Sequence, residues 1–145
     1  MTDSNSEKLN VLFLCTGNSC RSQMAEGWAR HLGHEVFEQI ASAGIEAHGL
    51  NERAVSVMRE VGVDISGHQS SLIDSFDLND FSLVVTVCGD ADDKCPLLPA
   101  GTQKRHWPLS DPAKLTGTEE EIIEGFRASR DDIRVRIEEL IADLA

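Results

Sequence analysis

Cys15-Thr16-Gly17-Asn18-Ser19-Cys20-Arg21-Ser22 lies between an apolar run and a stretch of helical periodicity, and that placement decides the fold. Val11-Leu12-Phe13-Leu14 reads as a strand buried on both faces. From Ser22 onward, Met24, Ala25, Trp28, Ala29 and Leu32 fall on one face of a helix. The segment between them is therefore a strand-to-helix turn, whose backbone N–H groups can converge at a helix N-terminus where the dipole adds positive potential. Residues Cys15, Thr16, Gly17, Asn18, Ser19, Cys20, Arg21 and Ser22 form a candidate oxyanion cradle. The same field stabilises a thiolate, which marks Cys15 as the candidate nucleophile. Arg21 adds a planar fork of donors for two oxygens of a bound anion.

At 145 residues the chain is long enough to bury a normal core within one domain. Residues 1–7 read as a polar N-terminal tail and residues 8–145 as that domain. The formal net charge of −12 argues against nucleic-acid or anionic-membrane partners, which the whole surface would repel. It also opposes a small oxyanion, so attraction has to be local, from Arg21 and the loop amides. No apolar run approaches a membrane span and no signal-peptide pattern opens the chain. The four cysteines then read as cytoplasmic thiols.

A coarse pass alternates strands and helices. Strands are expected at about Leu9 to Leu14, Val36 to Ala43, Leu83 to Val87 and Gln103 to Trp107, the second and fourth weaker than the others. Asn51 can cap a helix carrying Ala54, Val55, Met58 and Val61, with Gly62 as its terminator. Thr118 and Glu121 form a capping box for a long helix whose apolar face runs through Ile122, Phe126, Ile133, Ile137, Leu140, Ile141 and Leu144. Strands separated by helices imply right-handed crossovers. The expected fold is α/β, three-layered and doubly wound, with a four-stranded parallel sheet and helices on both faces.

In such sheets ligands bind beyond the carboxyl ends of the strands, where strand order reverses. Cys15 follows the first strand, Cys88 the third and Asp111 the fourth, so all three are expected on one edge. Asp111 then becomes a candidate general acid, able to protonate the oxygen expelled when a nucleophile attacks a tetrahedral oxyanion. Cys88 and Cys95 flank a polar segment that reads as a mobile loop. They can be too far apart to bond in one conformation and close in another. The alternatives are two unrelated cysteines or, with Cys15 and Cys20, a zinc site; the pair spacings disfavour zinc. Lys94 and the turn before Cys95 are placed to lower the pKa of that thiol. Cys20 is expected to face the core as a small hydrophobe, or to pair off-pathway with Cys15. His31, His34, His48, His68 and His106 show no pairing that suggests ligation.

The loop CTGNSCRS, the following QMAEGWA, the stretch SAGIEAHG, the spacing of Cys88 and Cys95, and Asp111-Pro112 together resemble the thioredoxin-coupled arsenate reductases. These share the fold of low-molecular-weight protein tyrosine phosphatases, and the resemblance covers nearly the whole chain beyond the tail. It implies Cys15 as nucleophile, Arg21 as oxyanion clamp, and Ser22 as hydrogen-bond partner of the Cys15 thiolate. It further implies Asn18 as a brace of the loop, Asp111 as general acid, and Cys88 with Cys95 as a resolving relay ending in a redox disulfide. The substrate implied is arsenate, with phosphate or sulfate as analogues, and the reductant a thioredoxin or similar dithiol. The role implied is arsenic detoxification by a cytoplasmic monomer without a tightly bound cofactor. Some members bind potassium beside Asn18. Here Glu26 and Ser42 match that pattern, while Gln69 and Ser71 replace a threonine and an aspartate, and the missing carboxylate argues against the site.

Two other readings use fewer of these residues. A tyrosine phosphatase needs Cys15, Arg21 and Asp111 but neither Cys88 nor Cys95. Phosphatases of this fold also carry aromatics after Asp-Pro, where this chain has Ala113 and Lys114. Arsenate and phosphate are near-isosteres, so weak phosphatase activity is expected of either enzyme. A non-catalytic zinc or anion-binding module is the third reading.

Overall fold

The computed structural model describes residues 8–144, so the polar tail at 1–7 lies outside the described residues. Strand β1 (Leu9–Cys15) is followed by helix α1 (Arg21–Leu32), β2 (Phe37–Gly44), α2 (Glu52–Glu60), β3 (Leu83–Thr86), α3 (Gly89–Lys94), β4 (Gln103–His106) and α4 (Glu119–Leu144). The four strands form one sheet in the order β2-β1-β3-β4, every pair parallel. This is the expected doubly wound α/β arrangement, and the strand bounds move by a residue. Cys15 is the last residue of β1 and pairs with Gly44.

β1 is central, and its Val11, Leu12, Phe13 and Leu14 are fully buried, which is why it reads as an unbroken apolar run. β2 and β4 are the edges. β4 (Gln-Lys-Arg-His) carries no apolar side chain and is mostly exposed, and this explains its weak sequence signal. Helix α1 packs on β1 and β2, α4 on α1 and α2, and α3 against β1 and β3. The Asn51 side chain accepts from the N–H groups of Arg53 and Ala54, and Gly62 follows the helix at φ 81°. The capping box is reciprocal: Thr118 N–H donates to Glu121 at 2.9 Å and Glu121 N–H to Thr118 Oγ1 at 3.1 Å.

One element departs from the sequence reading. Residues 89–94 were expected as a loop and form helix α3. With Ala91 as its one buried apolar side chain, the stretch offers no apolar periodicity. The helix is held instead by its ends and by contacts with β3 and β4, described below.

Strand order reverses between β1 and β3, because the chain goes from β1 outward to β2 and then returns past β1 to β3. The loop after β1 and the start of α3 after β3 therefore meet at the carboxyl end of adjacent strands, where this class of sheet binds ligands.

Candidate active site

The loop from Cys15 to Arg21 has its carbonyls tied outward. Cys15 O accepts from Ile45 N–H at 3.2 Å, Thr16 O from Glu46 at 2.8 Å, Gly17 O from His48 at 2.9 Å and Ser19 O from Asn51 at 3.0 Å. Asn18 O accepts from the Gln23 amide at 3.2 Å, and Cys20 O from Met24 N–H at 2.8 Å. In a trans peptide the N–H points opposite to the C=O. Anchoring these carbonyls outward turns the amides of Thr16 through Arg21 inward, at the N-terminus of α1. This is the geometry of an anion cradle.

Two glycines let the bracing segment approach. A Cβ on Gly17 would overlap the His48 ring, and one on Gly44 would overlap Glu46 O and crowd Thr16 O and Asn18 N. Asn18 itself sits in the left-handed region at φ 48°, a conformation asparagine tolerates better than most residues. It is fully buried, and its side chain explains the choice. Nδ2 donates to Ser22 Oγ at 2.8 Å and Ser42 Oγ at 3.0 Å, while Oδ1 accepts from Ser71 N–H at 2.7 Å. Ser22 Oγ lies 3.0 Å from Cys15 Sγ.

Arg21 is nearly buried. Its NH1 donates to Leu109 O at 2.9 Å and its NH2 lies 3.5 Å from Asp111 Oδ2. Its Nε is buried with no hydrogen-bond partner among the described residues, a donor left for a ligand. Asp111 Oδ1 accepts from Ala113 N–H at 3.0 Å and faces Cys20 Sγ at 3.7 Å. Cys20 is thus buried beside a carboxylate rather than against apolar groups alone. Burial, then Asp111 and Cys15, push its thiol up to about 12. At neutral pH it is a protonated donor, and no rival to Cys15.

Cys88 is the N-cap of α3, its Sγ accepting from Ala91 N–H at 3.4 Å, and Thr16 Oγ1 lies 3.2 Å from the same sulfur. Cys15, Cys88 and Asp111 are therefore gathered on one edge, as the topology required. Cys95 caps the other end of α3 and is half-buried. Burial pushes its thiol up, and the cation that opposes this is Lys104, which replaces Lys94 in the sequence reading. All four cysteines are free thiols. Among the described residues no three His, Cys, Asp or Glu side chains are grouped to hold a metal ion.

The residues matched to the potassium pattern form a connected network that fits a cation poorly. Glu26 Oε1 accepts from Ser42 Oγ at 2.6 Å, and Oε2 meets Arg30 Nε at 2.9 Å. Asn18 Oδ1 is taken by Ser71, and Asn18 donates to Ser42. The oxygens are engaged by donors, and Arg30 already balances the Glu26 charge. The sequence reading also left the histidines without roles. His48 lies against Gly17, His68 Nδ1 is 3.0 Å from Gln23 Oε1, and His106 Nδ1 is 2.8 Å from Thr86 Oγ1. The bracing segment from Ile45 to Asn51 was legible only as part of a family-like stretch, because its work is done by backbone amides.

Residues 10–145 match the model of the low molecular weight phosphotyrosine protein phosphatases. An arsenate reductase of Bacillus subtilis (strain 168) is 57% identical over 130 residues, covering 89% of this chain and 92% of that protein. A solved structure described as an arsenate reductase in the phosphate binding state matches with a TM-score of 0.77 at 37% identity, covering 94% of this chain and 99% of that one. Another, an arsenate reductase in oxidized state, matches with a TM-score of 0.80 at 34% identity, covering 94% and 98%. The chain belongs to the low molecular weight phosphotyrosine protein phosphatase family and, within it, to the arsenate reductases.

Proposed function

We propose that this chain reduces arsenate to arsenite through a relay of Cys15, Cys88 and Cys95, and is regenerated by an external dithiol of the thioredoxin type. The observation that carries the reading is the contact of Thr16 Oγ1 with Cys88 Sγ at 3.2 Å, which ties the second thiol to the residue next to the first. A phosphatase has no use for that thiol.

Arsenate binds in the cradle, its oxygens on the inward amides and Arg21. Cys15 attacks arsenic, and Asp111 protonates the expelled oxygen, which leaves as water. Ser22 steadies the sulfur, and Asn18 holds the loop and directs Ser22. Cys88 then attacks the Cys15 sulfur. The electron pair of the sulfur–arsenic bond stays on arsenic, releasing arsenite and forming a Cys15–Cys88 disulfide. Cys95 attacks Cys88, freeing the Cys15 thiolate and leaving a Cys88–Cys95 disulfide for the dithiol to reduce. Two electrons leave the thiols and two arrive on arsenic. No tightly bound cofactor is needed, and no step is routed through potassium.

The cradle and Asp111 suffice for slow hydrolysis of aryl phosphates, so a weak phosphatase activity accompanies the reductase. We assign the protein to the cytoplasm, since the relay works only where thiols are kept reduced; the reading takes it to act as a monomer. Arsenate-dependent NADPH consumption in the presence of thioredoxin and thioredoxin reductase tests the reading. Sustained consumption that stops when arsenate is omitted is expected. Aryl phosphate hydrolysis without any arsenate-dependent consumption would make the chain a phosphatase.

A further inference from the structure

Helix α3 is six residues long, too short to be stable on its own. Its central tie to the rest of the fold is Asp92, midway between Cys88 and Cys95. Asp92 Oδ1 meets Lys104 Nζ at 2.7 Å and accepts from Thr86 Oγ1 at 3.1 Å, and Lys104 Nζ also reaches Asp92 O at 3.3 Å. His106 Nδ1 lies 2.8 Å from Thr86 Oγ1 and 3.9 Å from the Asp92 carboxylate. Thr86 belongs to β3 and Lys104 and His106 to β4, so one carboxylate clamps α3 to two strands. Lys104 holds the Asp92 carboxyl below its ordinary range, as a formed pair requires.

Seven residues of helical rise separate the two caps by about 10 Å. A disulfide needs Cα atoms within about 7 Å. A wound α3 and a Cys88–Cys95 bond therefore exclude one another, and whatever stabilises the helix must oppose the bond. We propose that Asp92, gripped by Lys104 and Thr86, is a latch that holds α3 wound in the dithiol form, and that re-forming this latch helps drive reduction of the Cys88–Cys95 disulfide. The proposal rests on the relay described above and assigns its regeneration step a positioning pair. Asp92 and Lys104 make no hydrogen bond to the reacting sulfurs, and their opposite charges act on Cys95 in opposite directions. They act by setting which redox state the fold prefers.

The test is the redox equilibrium of the full chain against glutathione, with the Cys88–Cys95 bond quantified by thiol trapping and peptide mapping. Asp92→Asn and Lys104→Met should each shift the equilibrium about fivefold toward the disulfide, the scale of a partly exposed ion pair. The double substitution should shift it little further than either single one, because both remove the same contact. Lys104→Arg, which keeps the charge, should restore most of the parent value. In the reduced state the Asp92→Asn protein should also be cut faster between Gly89 and Lys94. A parent that forms the disulfide with an equilibrium untouched by either substitution would overturn the latch alone. A parent that forms no Cys88–Cys95 bond after arsenate turnover would overturn the relay, and the latch with it.

Discussion

Ser22 Oγ lies 3.0 Å from Cys15 Sγ and accepts from Asn18 Nδ2 at 2.8 Å, so the serine's own proton is left for the sulfur. Asn18 in turn spends its second hydrogen on Ser42, whose hydroxyl goes to Glu26 at 2.6 Å. The donors diverge from Asn18, towards Cys15 through Ser22 and towards Glu26 through Ser42. Asn18, whose amide nitrogen only donates, fixes the polarity of the hydrogen bond that Ser22 makes to Cys15, while the Glu26 carboxylate orients Ser42 to receive Asn18's other hydrogen.

Ser22→Ala removes that bond while leaving the cradle's amides and Arg21. Hydrogen bonds to charged groups contribute roughly 1.5–3 kcal/mol, so turnover should fall about ten- to a hundredfold with little change in phosphate affinity. Alkylation of Cys15 by iodoacetamide at neutral pH should slow in parallel. An unchanged alkylation rate would show that the sulfur does not depend on Ser22.

Asp111 is 3.5 Å from Arg21 and is held at the end of β4's following loop by its bond from Ala113 N–H. Asp111→Asn keeps this shape and removes the transferable proton. Turnover should fall by about a hundred- to ten-thousandfold while phosphate still binds the loop, measured by calorimetry. Turnover equal to the parent's across the pH range would place the acid elsewhere.

His68 gives the fold a pH dependence separable from that of its carboxylates. Burial holds its pKa below the ordinary 6.5, with Glu26 pulling the other way. The unfolded chain therefore takes up this proton first as pH falls, so stability contributed by neutral His68 is present above about pH 6.5 and declines below it. Carboxylates held low in the fold, such as Glu60 and Asp92, lose their contribution only at more acidic pH. The urea midpoint should drop between pH 7 and 5.5 in the parent. In His68→Gln that drop should be smaller, and an identical slope in both proteins would remove His68 from the account.

What could be read from the chain alone followed local rules. The apolar run of Val11 to Leu14, the helical face from Met24 to Leu32 and the capping box at Thr118 and Glu121 each carry their own signal. The parallel topology then placed Cys15, Cys88 and Asp111 together. What could not be read depends on contacts between distant residues. α3 is tied down by the Cys88 cap, by buried Ala91 and by Asp92 meeting Thr86 and Lys104, and its short, mostly polar sequence announces none of this. Cys20 sits beside Asp111 because a loop 91 positions away folds over it. The carbonyl anchors from Ile45 to Asn51 are backbone groups, which have no residue signature.

The central claim is the order of disulfides, and one measurement addresses it directly. Cys95→Ser should be given a single equivalent of arsenate, quenched by alkylation, and mapped by peptide mass beside the parent. The account predicts one turnover ending in a Cys15–Cys88 bond in the variant, and a Cys88–Cys95 bond with free Cys15 in the parent. Release of arsenite over many turnovers by the variant, with Cys88 alkylated as a free thiol throughout, would contradict it.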